Sequence, residues 1–392
     1  MYSKAQGLSD TLIDLRRQIH RHPELSFEEF ETARLVAERL EAFGIAVRTG
    51  VAKTGVVGDL GHGRPRIALR ADMDALPIQE ANDVPYASEV PGVMHACGHD
   101  VHVAWLLGAA RILAGEHAAG RLPGSVRFLF QPSEEGQDAE RLSGGMRMVD
   151  EGMMDGVDAV VGLHVWADLP AGTIATREGF CTARPDKFVI KIVGQEAHGA
   201  YPHRGHDAIV LAAQVVNAMQ TVVSRRLDPT RGKVLTIGTI HGGTKENVLA
   251  GEVTMTGTIR TFEADVRETL FAELERACSV ARALGGDYEL TIIPGYLPVI
   301  NDAAVCALVR DVAAGFIGHE NVLDADLEMG GEDFSYFAQE APGCFAIVGG
   351  AFAGEAKRLH HHPHFDVDEA CLPIGAAILA ETALRFVRKG SG

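Results

Sequence analysis

Three short apolar runs in this 392-residue chain each stop at side chains that can carry charge or hold a metal. "RIALRADMD" (66–74) ends in Asp72 and Asp74, "SVRFLFQPSEEG" (125–136) in Glu134 and Glu135, and "DAVVGLHVW" (158–166) passes through His164. Apolar runs of this length, bounded by polar residues, read as buried strands. Helical stretches such as 99–115 alternate with them, which predicts an α/β fold with a mostly parallel sheet and helices on its faces. In such sheets ligands bind beyond the carboxyl ends of the strands. The acids and His164 fall at those ends.

Residues 8–43 read as a helix pair or one long amphipathic helix, interrupted near "HRHPELS", with Gly44 as its stop. From about residue 186 the order becomes βαββαβ. It runs through "KFVIKIVG", a helix over 206–223, "VLTIGTI", "VTMTGTIRTF", a helix over 264–284, and "YELTIIPG". That order is a complete ferredoxin-like α+β unit able to fold by itself. Helix and strand alternation resumes after about residue 296, with "FAIVGG" (345–350) and a last helix over 370–388. The expected organisation is a catalytic domain in two segments, 1–185 and 296–392, split by an inserted domain, 186–295.

A formal charge of −17 argues against nucleic acid as a partner, since phosphate binding needs clustered Lys and Arg. The N-terminus carries no apolar signal core, and no apolar run is long enough to span a bilayer. The cysteines (97, 181, 278, 306, 344, 371) lack a framework spacing, which suits reduced thiols. A cytoplasmic protein without a membrane partner is expected.

In "MHACGHDVH" (94–102), Cys97 and His99 flank a single glycine at a helix start. A helix N-terminus stabilises a thiolate, the form that both binds metals and attacks carbonyls. Three readings compete. A thiol nucleophile needs Cys97 and one His, and leaves Glu134, Glu135 and His164 unexplained. A non-catalytic cluster is the ordinary reading of any one of them taken alone. A metal site uses them all. Thiolate, imidazole and carboxylate together suit zinc, manganese, cobalt or nickel better than magnesium or calcium. Five ligands exceed what one tetrahedral zinc with an open position takes, and fit two ions bridged by the thiolate or a water. "LHHHPHFDVDE" (359–369) adds four histidines, of which His360, His362 and His364 each read alone as non-ligands.

The chain resembles the di-metal aminoacylase/carboxypeptidase amidohydrolases. Within them it is most similar to the branch holding hippurate hydrolase, N-acetyl-amino-acid deacetylases and plant auxin-conjugate hydrolases. The resemblance runs in order through "HRHPELSFEEFET", "LRADMDALPIQE", "MHACGHDVH", "FQPSEEG", "GLHVW", "EAHGAYPHRGHDAI", "GGTKENVLAGEVTMTGTIR", "GGEDFSYF" and "LHHHPHFDVDE". It implies two divalent ions per chain, zinc first, with manganese, nickel or cobalt as alternatives. Cys97, His99, Glu135, His164 and His361 become the ligands, with the Cys97 sulfur shared. His361 is selected as the histidine two residues before proline. Glu134 becomes general base and acid, and Asp72 or Asp74 orients a ligand, with Asp72 taken first. The inserted domain is expected to serve as lid and dimer interface, in a homodimer or dimer of dimers. His198 would stabilise the oxyanion from the partner subunit, and Asn247 and Arg260 would hold the substrate's carboxylate. The implied reaction is hydrolysis of an N-acyl amino acid, a small molecule, to a carboxylic acid and a free amino acid. A carboxypeptidase or dipeptidase using the same chemistry is the alternative enzyme, and a non-catalytic binding protein the alternative class.

Overall fold

The computed structural model describes residues 1–354 and 358–389, which fall into two compact units. The first is built from Met1–Cys181, Val299–Asp326 and the chain from Asp333 onward; the second from Thr182–Pro298 and Leu327–Glu332. In chain order the first unit holds β1 (Ala46–Val51), β2 (Gly55–Gly61), β3 (Arg66–Asp72), β4 (Ser125–Gln131), β5 (Ala159–Pro170), β6 (Ile174–Thr176) and β7 (Gly179–Phe180). The second unit holds β8 (Arg184–Val193), β9 (Lys233–Gly242), β10 (Glu252–Thr261) and β11 (Asp287–Ile293). The first unit then resumes with β12 (Ile300–Asn301), β13 (Val322–Asp324) and β14 (Gly343–Ala351).

The main sheet has the order β1-β2-β4-β3-β5-β14-β6-β13. Its centre, β4-β3-β5-β14, is parallel, as the strand–helix alternation predicts. β1 and β2 add an antiparallel edge, and β6 runs antiparallel to β14. Alternate residues of the central strands feed two different cores. Ile67, Leu69, Phe128 and Phe130 join the cluster under the helices Ser9–Arg21, His99–Ala118 and Cys371–Lys389. Ala68 and Leu129 join the cluster containing Phe334 and Phe337 on the other face. Such two-sided burial is what continuous apolar strands require.

The helix His99–Ala118 is buried almost all round, and its first turn is tied down by charge. Arg16, fully buried, donates from Nε to Asp100 (2.7 Å) and from Nη2 to Asp366 (3.0 Å). His20 Nδ1 lies 2.8 Å from the same Asp100, and the Tyr86 hydroxyl donates to Asp366 (2.9 Å). Arg16→Met would leave buried Asp100 with His20 alone and buried Asp366 with Arg358 as its remaining guanidinium. We expect a loss of about 3–5 kcal/mol in urea unfolding; a loss below about 1 kcal/mol would show that the network does not depend on Arg16.

The second unit carries a four-stranded antiparallel sheet in the order β11-β8-β10-β9, the ferredoxin-like arrangement. Leu211, Ala212, Val215 and Met219 of the helix Ala208–Thr221 pack on one face of this sheet. Continued to Arg226, that helix is long and apolar enough to cross a membrane by length and composition. It is not an uninterrupted apolar run, since Gln214, Asn217 and Gln220 fall within it. Its buried side belongs to the unit's core, and Ile209 and Val210 remain exposed.

Candidate metal centre

Because β4, β3 and β5 are parallel neighbours, their carboxyl ends lie side by side. Asp72 closes β3, with Asp74 two residues on; the loop after Gln131 carries Glu134 and Glu135; His164 lies in β5. Gly98, between Cys97 and His99, has φ of +85°, and a Cβ there would sit 2.3 Å from Val165 Cγ1. Only glycine combines that left-handed turn with so close an approach. The helix start is thereby pressed against β5 beside His164.

Two groups of donors share one sulfur. Cys97, His99 and His164 offer ligand atoms within 4.8 Å of one another, and so do Cys97, Glu135 and His361. Glu134 falls in neither group and instead clusters with His99 and Glu135. All six residues belong to the first unit. The donor types would suit two divalent ions, Cys97 being common to both groups, and one buried donor atom lacks any other partner. His99 Nε2 has no hydrogen-bond partner among the described residues.

Hydrogen bonds to the other ring nitrogens point each imidazole. His99 Nδ1 meets Asp74 Oδ1 at 3.2 Å, and His164 Nδ1 donates to the Val165 carbonyl at 2.7 Å. Each leaves Nε2 as the donor atom, and His164 Nε2 lies 3.4 Å from Cys97 Sγ. His102 and His360 differ. His102 Nδ1 sits 2.5 Å from Asp72 Oδ1 while its Nε2 accepts the Val165 N–H at 2.9 Å. His360 Nε2 donates to the Val165 carbonyl at 3.0 Å. In the run of three histidines, His362 Nδ1 accepts the His364 N–H, and His361 Nε2 lies 3.0 Å from Glu135 Oε1. His361 is held at φ +56°, a strained conformation for a side-chain-bearing residue. The geometry therefore sets His361, rather than His360 or His362, beside Glu135.

The order of preference between the two aspartates is corrected. Asp72 is engaged by His102 and by Arg70 Nη1 (2.8 Å), and comes no closer to His99 than 3.7 Å. Asp74 is the carboxylate bonded to His99, and it also accepts the backbone N–H groups of Glu134 and Glu135, both at 3.0 Å. One side chain thus orients a ligand and clamps the two-glutamate loop.

The electrostatics run against the expected helix-stabilised thiolate. Burial, and then the carboxylates of Glu135, Glu134 and Asp72, push the Cys97 thiol well above its usual range. His164 is pushed well below its usual value, first by burial and then by His102 and His360. A raised thiol beside a weakened base is a poor nucleophilic pair. For His99, burial opposes protonation, but Asp72 and Asp74 outweigh it and lift the ring to about 10. To hold a cation, Cys97 and His99 would each have to give up a proton, and the added positive charge would offset the surrounding carboxylates.

His198, Asn247 and Arg260 lie in the second unit. His198 is exposed, bridges Val248, and accepts the Ala200 N–H on Nδ1 at 3.0 Å. The Asn247 carbonyl accepts the Gly199 N–H, so these two residues are neighbours. Arg260 is not with them. It pairs with Pro185 at one end of β8, whereas His198 follows Val193 at the other end, roughly 26 Å of strand away. Half-buried Arg260 has its pKa lowered by burial, with no carboxylate partner among the described residues.

Sequence reasoning did not assign Glu29, Ser26, His102 or Asp333. Glu29 Oε1 accepts the N–H of Ser133 (2.8 Å), and its Oε2 accepts from Thr54. Burial, followed by the charge of Asp74, pushes its carboxyl up to about 7. Ser26 donates to Asp74 (2.7 Å), and Asp333 receives Arg70 and Gln131. The signal was present in "LSFEE" and "GGEDF", but a supporting carboxylate looks like any acid until its donors are known.

The family model for "Peptidase family M20/M25/M40" matches residues 68–385. The chain is 40% identical to the N-acetyl-L-cysteine deacetylase of Bacillus subtilis, over 97% of this chain and 89% of that protein. It is 39% identical to thermostable carboxypeptidase 2 of Saccharolobus solfataricus, over 97% of each. The crystal structure of the Bacillus subtilis YXEP protein, described as a dinuclear metal-binding peptidase of the M20 family, superposes with a TM-score of 0.83. That match has 35% identity and covers 98% of this chain and 99% of the other. With its fold, its paired donor groups and these likenesses together, the chain belongs to peptidase family M20/M25/M40, a family of metal-dependent hydrolases.

Proposed function

We propose that this chain is a di-metal amidohydrolase that cleaves the amide bond of N-acyl amino acids, releasing a carboxylic acid and a free amino acid. The observation that carries the proposal is the pair of donor groups sharing Cys97, with Glu134 beside both and belonging to neither. Cys97, His99 and His164 would hold one ion, and Cys97, Glu135 and His361 the other, zinc being the first choice and manganese, nickel or cobalt the alternatives. Divalent ions in such a pair lower the pKa of water and polarise a carbonyl. Glu134 takes the proton of the attacking water and returns it to the departing amine. His198 stabilises the oxyanion, and Asn247 and Arg260 hold the substrate's carboxylate. The deacetylase relative supports an N-acyl substrate. The carboxypeptidase relative supports a second reading, cleavage of a C-terminal peptide bond by the same residues.

The partner we propose is a second copy of the chain, as a homodimer or a dimer of dimers. β9 is an edge strand whose outer row of backbone groups is unpaired by the sheet, and Ile240 on it is exposed. Ile209 and Val210 on the helix Ala208–Thr221 are exposed as well. An open edge and apolar residues on one small unit suit pairing with an identical unit. The wide separation of Arg260 from His198 and Asn247 supports the same idea, because two chains would supply the two ends to one substrate. The six free cysteines suit the reducing cytoplasm.

Metal analysis of gently purified protein should approach two ions per chain, and chelation should abolish a hydrolysis that added divalent metal restores. Cys97→Ser should lower occupancy, because a hydroxyl is a poorer ligand than a thiolate. Full activity in rigorously metal-free protein, or an acyl group trapped on Cys97, would overturn the proposal. A screen of N-acetyl, N-benzoyl and long-chain N-acyl amino acids against peptides with free C-termini separates the two substrate readings. Amine release from none of them would leave a binding protein.

A further inference from the structure

We propose that His102 is a positioning residue for His164, acting through the peptide of Val165; this rests on His164 being a metal ligand, as proposed above. β5 pairs with β3 only as far as Gly162, opposite Arg70. Three residues on, β14 still pairs with β5, and on the side that β3 has left, side chains take over. The Val165 N–H donates to His102 Nε2 (2.9 Å), and its carbonyl accepts from His164 Nδ1 (2.7 Å) and His360 Nε2 (3.0 Å). His102, His164 and Val165 are all buried, so none of these groups has water as a substitute partner.

The direction of the chain of bonds follows from valence. His102 Nε2 can accept the Val165 N–H only if the ring proton sits on Nδ1. Asp72 Oδ1, 2.5 Å from Nδ1, fixes that tautomer, and Arg70 Nη1 holds the other Asp72 oxygen at 2.8 Å. His102 therefore lies among the metal donors, within 4.8 Å of Asp72 and His99, with no nitrogen left to coordinate. What it supplies is orientation. With the Val165 N–H anchored, the carbonyl on the same residue faces His164 Nδ1, and Nε2 is left unprotonated toward Cys97. Gly98 serves the same contact, since a side chain there would strike Val165. Arg70, Asp72, His102 and Val165 thus form one line of support ending on one ligand of one ion.

The test replaces one ring nitrogen at a time and reads metal binding rather than turnover. His102→Asn puts an amide near the Nδ1 position, able to meet Asp72 but too short for Val165. His102→Gln carries an oxygen to about the Nε2 position, where it can accept the Val165 N–H. Metal-free protein is titrated with Co²⁺ against a chelating dye, with the d–d spectrum recorded. The wild type should take two ions. His102→Asn should weaken one of them by ~10–100-fold, the scale of outer-shell losses, and keep the other, while His102→Gln recovers most of the loss. Should the Asn variant not fold, Asp72→Asn, which no longer fixes the tautomer, should weaken that ion too. Wild-type affinity in His102→Asn, or a Gln variant no better than Asn, would overturn the role. A wild type that takes up no ions would instead overturn the metal reading itself.

Discussion

Replacing Glu134 by Gln should leave both metals bound and lower kcat by ~10² or more, the scale expected for a lost general base. The substitution turns the carboxylate into an amide by exchanging one oxygen for an NH2 group, and it keeps the volume. The Glu134 main chain, held by Asp74 through its N–H at 3.0 Å, is untouched. Glu134 lies outside both donor groups that share Cys97, so neither ion would lose a ligand. What is lost is a carboxylate able to take a proton from water and return it to the amine. Metal content and steady-state kinetics, measured on the same sample, separate the alternatives. If Glu134→Gln strips the metals while Glu135→Gln keeps them, the two glutamates have each other's roles. If kcat is unchanged with both ions in place, the base is another residue.

What the sequence made legible, and what it hid, follows from which groups do the work. Strand ends carrying Asp72, Asp74, Glu134 and His164 could be found because burial forces strands to be apolar and lets the exceptions stand out. The Cys97–Gly98–His99 spacing was legible for a similar reason, since a left-handed turn against Val165 admits only glycine. Side chains alone do not separate Asp72 from Asp74. The distinction lies in backbone N–H groups of a loop sixty residues away, which Asp74 accepts and Asp72 does not. The Val165 peptide is hidden for the same reason, as a main-chain group has no letter of its own. His361 was reachable through its proline spacing, but its physical ground, a strained φ that turns it to Glu135, belongs to the fold. The antiparallel edge of β1 and β2 was missed because a two-stranded addition needs no crossover helix to announce it.

His198→Ala should keep the metals and the proposed dimer but lose ~10²–10³ in kcat, as for removal of one oxyanion donor. The residue is exposed in the second unit, beside Asn247 and at the opposite end of the sheet from Arg260. Its Nδ1 accepts the Ala200 N–H, which fixes the tautomer and makes Nε2 the donor to a developing negative charge. If one substrate is gripped by Arg260 and met by His198, a single sheet cannot reach both, and a partner chain must supply one of them. Mixing decides this. In the proposed dimer, a His198→Ala chain paired with a Glu134→Gln chain would give heterodimers in which one site combines intact Glu134 with the partner chain's intact His198. Activity should therefore return when two nearly inactive proteins exchange subunits, with about a quarter of the sites restored at equal mixing, since half the dimers are mixed and each carries one complete site. Exchange is followed independently by mass tags on the two chains. No recovery despite demonstrated exchange would mean that each site is built from one chain, and the separation along β8 would then need an explanation other than a shared substrate.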